Sequence, residues 1–169
     1  ELKTDEVLQE KFEAYLEKYE ADGTCEYDRG TYTFTMKGKA AHAMEPDNGI
    51  NAAYVLAGFL LHLPLDIQGE RYIELVRHVF ADSRGISIGI EASDETGDLT
   101  INGGVFRYNE EERTATVNIR YPYTAKFEER LQNLREIALS FGFELKTRQH
   151  MPPHHVAEDH PLVKTLAGV

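Results

Sequence analysis

The chain has 169 residues, enough for one domain with a sizeable core, and its 41% hydrophobic and 28% charged residues are ordinary for a globular protein. With 29 acidic residues against 18 basic ones, a formal net charge of −11 argues against nucleic acid as a partner, because binding phosphate needs a basic face. No apolar run approaches the roughly 20 residues of a membrane span, which argues against a membrane partner, and the single Cys25 cannot form an internal disulfide, so cytoplasmic residence is the default.

The chain opens on Glu1 without a signal-peptide pattern and stops at Val169 just as a new helix begins, so it reads as a piece of a longer protein. Thr4 to Tyr19 carries Leu8, Phe12, Tyr15, Leu16 and Tyr19 at helical spacing, which predicts an amphipathic helix. Cys25 to Arg29 is polar and reads as a loop or a frayed strand start. Thr31 to Lys37 alternates, with Tyr32, Phe34 and Met36 on one face and Thr31, Thr33, Thr35 and Lys37 on the other, the pattern of a half-buried strand. Small residues then surround His42. Asp47 or Asn48 is placed to cap a helix over about Asn48–His62, which Pro64 ends.

A further helix is predicted from about Gln68 to Phe80, and the Gly-, Ser- and Asp-rich stretch Ser83–Thr96 reads as a short strand or loop. Asp98–Tyr108 and Thr114–Tyr121 are two strands joined by a charged turn, a hairpin signal. Thr124 reads as the cap of a helix that buries Phe127, Leu131, Leu134, Ala138 and Phe141, with Gly142 as its stop. Phe143, Leu145 and Thr147 alternate as a last strand, and Met151-Pro152-Pro153 opens an extended connector.

Without the leading and inserted helices the order is β–α–β–β–α–β, an α+β, ferredoxin-like (split βαβ) antiparallel sheet with helices on one face. The domain is read as residues 1–150, with its core at about 31–150, and 151–169 as a connector. Right-handed crossovers would set the first and third strands side by side and parallel. Their C-terminal ends would then bring His42 and Arg120 together, with Asn102 roughly opposite Ile119 or Arg120. Taken singly, Arg120 reads as a surface ion pair, Asn102 as a turn residue and His42 as incidental. Together they suit an anionic ligand, with Arg120 as a bidentate carboxylate clamp and the other two as donors to an oxygen.

No complete catalytic set is present: there is no His-X-Asp, HExxH, CxxC, nucleophile elbow or phosphate loop. His150, His154, His155 and His160 lie on a connector with two prolines, a poor scaffold for a fixed metal geometry.

Gly38-Lys39-Ala40-Ala41-His42-Ala43, followed by Pro46, Gly49 and Asn51-Ala52-Ala53, resembles the insert domain of the co-catalytic zinc peptidases, the family of carboxypeptidase G, aminoacylase and carnosinase. Asp94-Glu95, Gly97 to Val105, Val117 to Pro122 and His160 to Leu166 bring the finer resemblance to the PepV-like bacterial dipeptidases. This resemblance implies the lid of a dinuclear zinc dipeptidase, whose two zinc ions activate a bridging water on a separate catalytic domain. It implies that His42 donates to the developing oxyanion, that Arg120 holds the C-terminal carboxylate of a dipeptide, and that Asn102 lies near that clamp. The lid would be incomplete, since an earlier Asn-Met-Val-Pro-Asp-like segment is missing, and the isolated piece would be inactive and bind no zinc. Its expected partners are the dipeptide substrate and its own catalytic domain. The alternative is a non-catalytic dimerisation or interaction module of a related amidohydrolase or deacylase, self-associating through exposed strand edges. A regulatory amino-acid-binding domain would use the same fold.

Overall fold

The computed structural model describes residues 2–41, 45 and 48–156. The elements run α1 (Leu2–Lys18), β1 (Asp22–Asp28), β2 (Thr31–Lys37), α2 (Ala52–Leu60), α3 (Ile67–Val79), β3 (Ser93–Asp94), β4 (Gly97–Asp98), β5 (Thr100–Tyr108), β6 (Arg113–Arg120) and α4 (Phe127–Ser140). The architecture is α+β with antiparallel ladders, as the order of sequence patterns predicts.

Two apolar clusters organise these elements. The helical stripe of α1 places Phe12 at the centre of the first, fully buried, with its ring centroid 5.1 Å from Phe34 of β2 and 4.7 Å from Phe59 of α2. The second gathers Tyr72, Val76 and Val79 of α3 with Ile88, Ile90, Leu99, Ile101 and Leu134. Helix α2 serves both, since Phe59 enters the first cluster and Ala57 the second.

Four local expectations are corrected. Of the polar stretch 25–29, read as a loop or a frayed strand start, all but Arg29 belongs to the full strand β1, paired along its whole length with β2 from Asp22↔Lys37 to Asp28↔Thr31. Its Gly23, Cys25 and Tyr27 share one face in a run otherwise polar, too weak an alternation to read from composition. The tight turn is clearer, because Arg29 (φ 48°) and Gly30 (φ 89°) both take the positive φ that matches strand twist in a two-residue hairpin. The cap of α2 is Asn51, whose Oδ1 accepts from Ala53 N at 3.1 Å and Tyr54 N at 3.2 Å, while Asn48 turns back to Glu45. Thr124 does not cap α4; its N–H and hydroxyl both donate to Asp94, each at 2.7 Å. Residues 143–147 form no strand. Phe143 and Leu145 pack half-buried on the second cluster, so their alternation reflects burial of one side without ladder pairing.

The largest difference concerns the sheet. Among the described residues there are three separate two-stranded ladders, β1–β2, β3–β4 and β5–β6, and none joins β2 to β6. Instead β2 continues into a bridge between Lys39 and Ile50, and its apolar face is covered by α1 and α2.

The loop between α3 and β3 turns on one carboxylate. Asp82 accepts from the backbone N–H groups of Arg84 (2.8 Å), Ile86 (3.0 Å) and Ser87 (2.8 Å). Burial alone would raise its pKa, but the donors from Ser87, Ile86 and Arg84 outweigh that and lower it from 3.8 to about 2. A carboxyl depressed in the folded state stabilises above its unfolded pKa, and that stability is lost as pH falls through about 4 to about 2. Asp82→Ala is therefore expected to cost about 2 kcal/mol at pH 7, and the gap to the native protein to close toward pH 2, as read by urea denaturation at several pH values.

Candidate functional site

The site is built from the end of β2. Gly38 is required there by close approach: a Cβ would lie 2.6 Å from the Ile50 carbonyl oxygen and 3.1 Å from the Ala52 Cβ. That approach lets Lys39 N–H donate to Ile50 O at 3.0 Å and Ile50 N–H to Lys39 O at 2.9 Å. The pair closes the stem of loop 40–49, and Asn51 then starts α2 directly behind it. His42, with Pro46 and Asp47, lies outside the described residues. Its neighbours Ala40 and Ala41 line a cleft of about 490 Å³, whose opposite wall is Asn102, Gly103, Gly104 and Phe106 of β5.

The β5–β6 hairpin supplies the polar wall. Thr100 pairs with Arg120 and Asn102 with Asn118, so all four side chains share one face of the ladder. Ile101, Ile119 and Val117 occupy the other face and pack on the second cluster. Asn102 and Arg120 are thus diagonal neighbours, with Cβ atoms roughly 7–8 Å apart by ladder geometry. Between Gly103 and Val105 the register shifts by a bulge at Gly104, where a Cβ would meet the Asn118 carboxamide nitrogen at 3.2 Å.

Arg120 is exposed, and among the described residues its guanidinium enters no ion pair. The chain just beyond it is pinned. Asp94 takes the Thr96 hydroxyl (2.6 Å) and N–H (2.7 Å) together with both donors of Thr124, and these bonds, that of Thr96 foremost, hold its carboxyl far below the usual range. The cleft and the Arg120 face therefore meet at Asn102, which belongs to both, while Arg120 itself is outside the cleft lining. The described ends of loop 40–49 face β5 across the cleft, and among the described residues no ladder pairs β2 with β6; His42 itself lies outside the described residues.

The connector histidines are engaged separately. His150 Nε2 lies 2.6 Å from the Tyr121 hydroxyl and stacks on Phe127, whereas His155 faces Glu95 at 3.4 Å. His160 lies outside the described residues. Among the described residues no group of three or more His, Cys, Asp or Glu is placed to hold a metal ion, nor is any helix long and apolar enough to cross a membrane.

The sequence matches the family described as Peptidase dimerisation domain over residues 28–143, from the end of β1 to just past α4. The chain belongs to this family. The Bacillus subtilis protein named "Putative dipeptidase YtjP" is 39% identical to this dimerisation domain over 170 residues, a match spanning 99% of the chain and 36% of that protein. Staphylococcus aureus proteins of strains USA300 and MRSA252, also bearing the dipeptidase designation, are each 34% identical over 164 residues, spanning 95% of the chain and 35% of their own length. The chain thus spans about a third of the length of these relatives. Lys39 is the lining residue that the reading of the sequence passed over. It stood within the Gly38–Ala43 motif, but nothing in the pattern indicated that the cleft would close around it.

Proposed function

We propose that this peptidase dimerisation domain is the substrate-clamping lid of a metal-dependent dipeptidase, with residues 151–169 leading to a separate catalytic domain that carries the zinc ions, in the cytoplasm. Arg120 grips the C-terminal carboxylate of the dipeptide, Asn102 donates beside it, and His42 donates to the oxygen that gains charge during attack on the peptide carbonyl. The observation that carries this reading is the shared face: an exposed cation at Arg120 lies on the same ladder face as the carboxamides of Asn102 and Asn118, and Asn102 also lines the cleft opposite Ala40 and Ala41. Such a face fits a carboxylate, whose oxygens accept several donors in one plane.

The test is Arg120→Ala in the parent enzyme. For dipeptides with a free C-terminus kcat/KM is expected to fall about 30–100-fold, the scale of a lost hydrogen-bonded charge pair. For the same dipeptides blocked as C-terminal amides the loss should be under about 3-fold, because the charge that Arg120 serves is gone. Equal losses for both would remove the carboxylate clamp.

The description of the family itself favours a second reading, self-association through the domain. Strands β1 and β2 have no further ladder partner among the described residues, so the edges of their hairpin are open to a second copy. Light scattering on the parent protein separates the two: a monomer at working concentration leaves the clamp as the role of the domain, while a dimer abolished by charged substitutions on the hairpin edge establishes the interface.

A further inference from the structure

The cleft beside loop 40–49 has an unusual charge for this chain. The molecule carries a net −11, yet among the described residues lining the cleft no acid occurs, and Lys39 has the only ionisable side chain. The neighbouring acid Glu45 is outside the lining and is engaged by the Asn48 carboxamide at 3.1 Å. Asn51 also reaches the cleft, but its side-chain oxygen is committed to capping α2. Among the described lining residues, the groups left to recognise a ligand are the Lys39 ammonium, the Asn102 carboxamide and the side-chain amide N–H groups of Asn51.

The placement of Lys39 is rigid at its root. Both of its backbone groups are bonded to Ile50, and Gly38 before it is packed against Ile50 and Ala52, so the ammonium swings from a fixed point on the rim. Among the described residues Lys39 enters no ion pair, which leaves its charge available to a ligand. Asn102 links this cleft to the face that bears Arg120, so two cations flank one continuous polar wall.

We propose that Lys39 is a specificity-determining residue that selects dipeptides carrying a second carboxylate, those with an aspartate or glutamate side chain. The inference rests on the reading of Arg120 as the clamp for the terminal carboxylate; Lys39 takes the other one. A cation in a partly enclosed cleft, with no acid among its described lining residues, attracts a carboxylate more strongly than it would in open water, and it gives an isosteric carboxamide no comparable gain.

The experiment compares kcat/KM for Ala-Glu and Ala-Gln, and for Glu-Ala and Gln-Ala, in the metal-loaded parent enzyme. The native protein is expected to favour the acidic member of at least one pair by about 10–50-fold, the scale of one charge-assisted hydrogen bond, and less as salt is raised. Lys39→Gln should bring that ratio to about 1, Lys39→Arg should keep it, and Lys39→Glu should invert it. Circular dichroism and thermal unfolding of each variant serve as the control for folding. Native ratios near 1, or ratios that Lys39→Gln leaves unaltered, overturn the role of Lys39 while leaving the clamp intact. Absence of hydrolysis of every dipeptide overturns the dipeptidase reading, and the selectivity with it.

Discussion

In the parent peptidase, His42→Ala is expected to lower kcat on the order of 10²–10³-fold while KM changes little. The reason is that an oxyanion donor acts on charge that exists only in the transition state, so its removal does not weaken binding of the ground state. His42 is outside the described residues, and the structure describes the elements that precede and follow its loop. The Lys39–Ile50 bridge closes the stem, Ala40 and Ala41 line the cleft, and Asn102 stands on the opposite wall. The metal content of the variant should be unaltered, because the proposed lid role puts the metal ions on another domain; its measurement separates loss of a donor from collapse of the metal site. Near-normal turnover would remove the oxyanion role, and a rise in KM at constant kcat would recast His42 as a ground-state contact.

Phe12→Ala is expected to cost about 3–5 kcal/mol, a large share of the 5–15 kcal/mol that a domain usually has. The side chain is fully buried between Phe34 and Phe59, and its removal leaves a cavity that three separate elements would have to move to fill. Helix α1 lies before the family match, which begins at residue 28, yet it supplies the centre of the first cluster. Thermal unfolding followed by circular dichroism should show the midpoint falling by roughly 10 °C. A change of less than 1–2 °C would mean that α1 does not close this cluster in solution. The second cluster holds α3, α4 and the β5–β6 hairpin, so exchange protection there should fall less than in β1–β2 if the two clusters open separately.

Strong periodicity was legible wherever one face of an element is buried and the other is wet. Helix α1, strand β2, helix α3, the β5–β6 hairpin and α4 all follow from it, within a few residues at their ends. Alternation failed in both directions where it was asked to report pairing. The polar run Asp22–Asp28 is a fully paired strand with little apolar signal, and Phe143 to Thr147 alternates clearly without any ladder. Register was off for a specific reason. Counting back from the Asn109–Arg113 turn puts Asn102 opposite Ile119 or Arg120, but the shift between Gly103 and Val105 adds a residue to β5 and sets it opposite Asn118. The two glycines were a visible sign of such a bulge, though not of its exact effect.

The sequence by itself determined the chemistry available: a histidine in a small-residue loop, an arginine and two asparagines on alternating strands, and no metal motif. These are properties of residue type and local spacing, which the chain carries without folding. Only the tertiary structure decided which of them are neighbours. The cleft joins loop 40–49 to β5, and it exists because Gly38 lets the backbone of Lys39 reach Ile50 while the bulge at Gly104 bends the opposite wall. Contacts between residues some sixty positions apart depend on which side chains fill the two clusters, and no local pattern encodes that. Lys39 shows the consequence, since its charge is ordinary in the sequence and distinctive only beside a cleft whose described lining holds no acid.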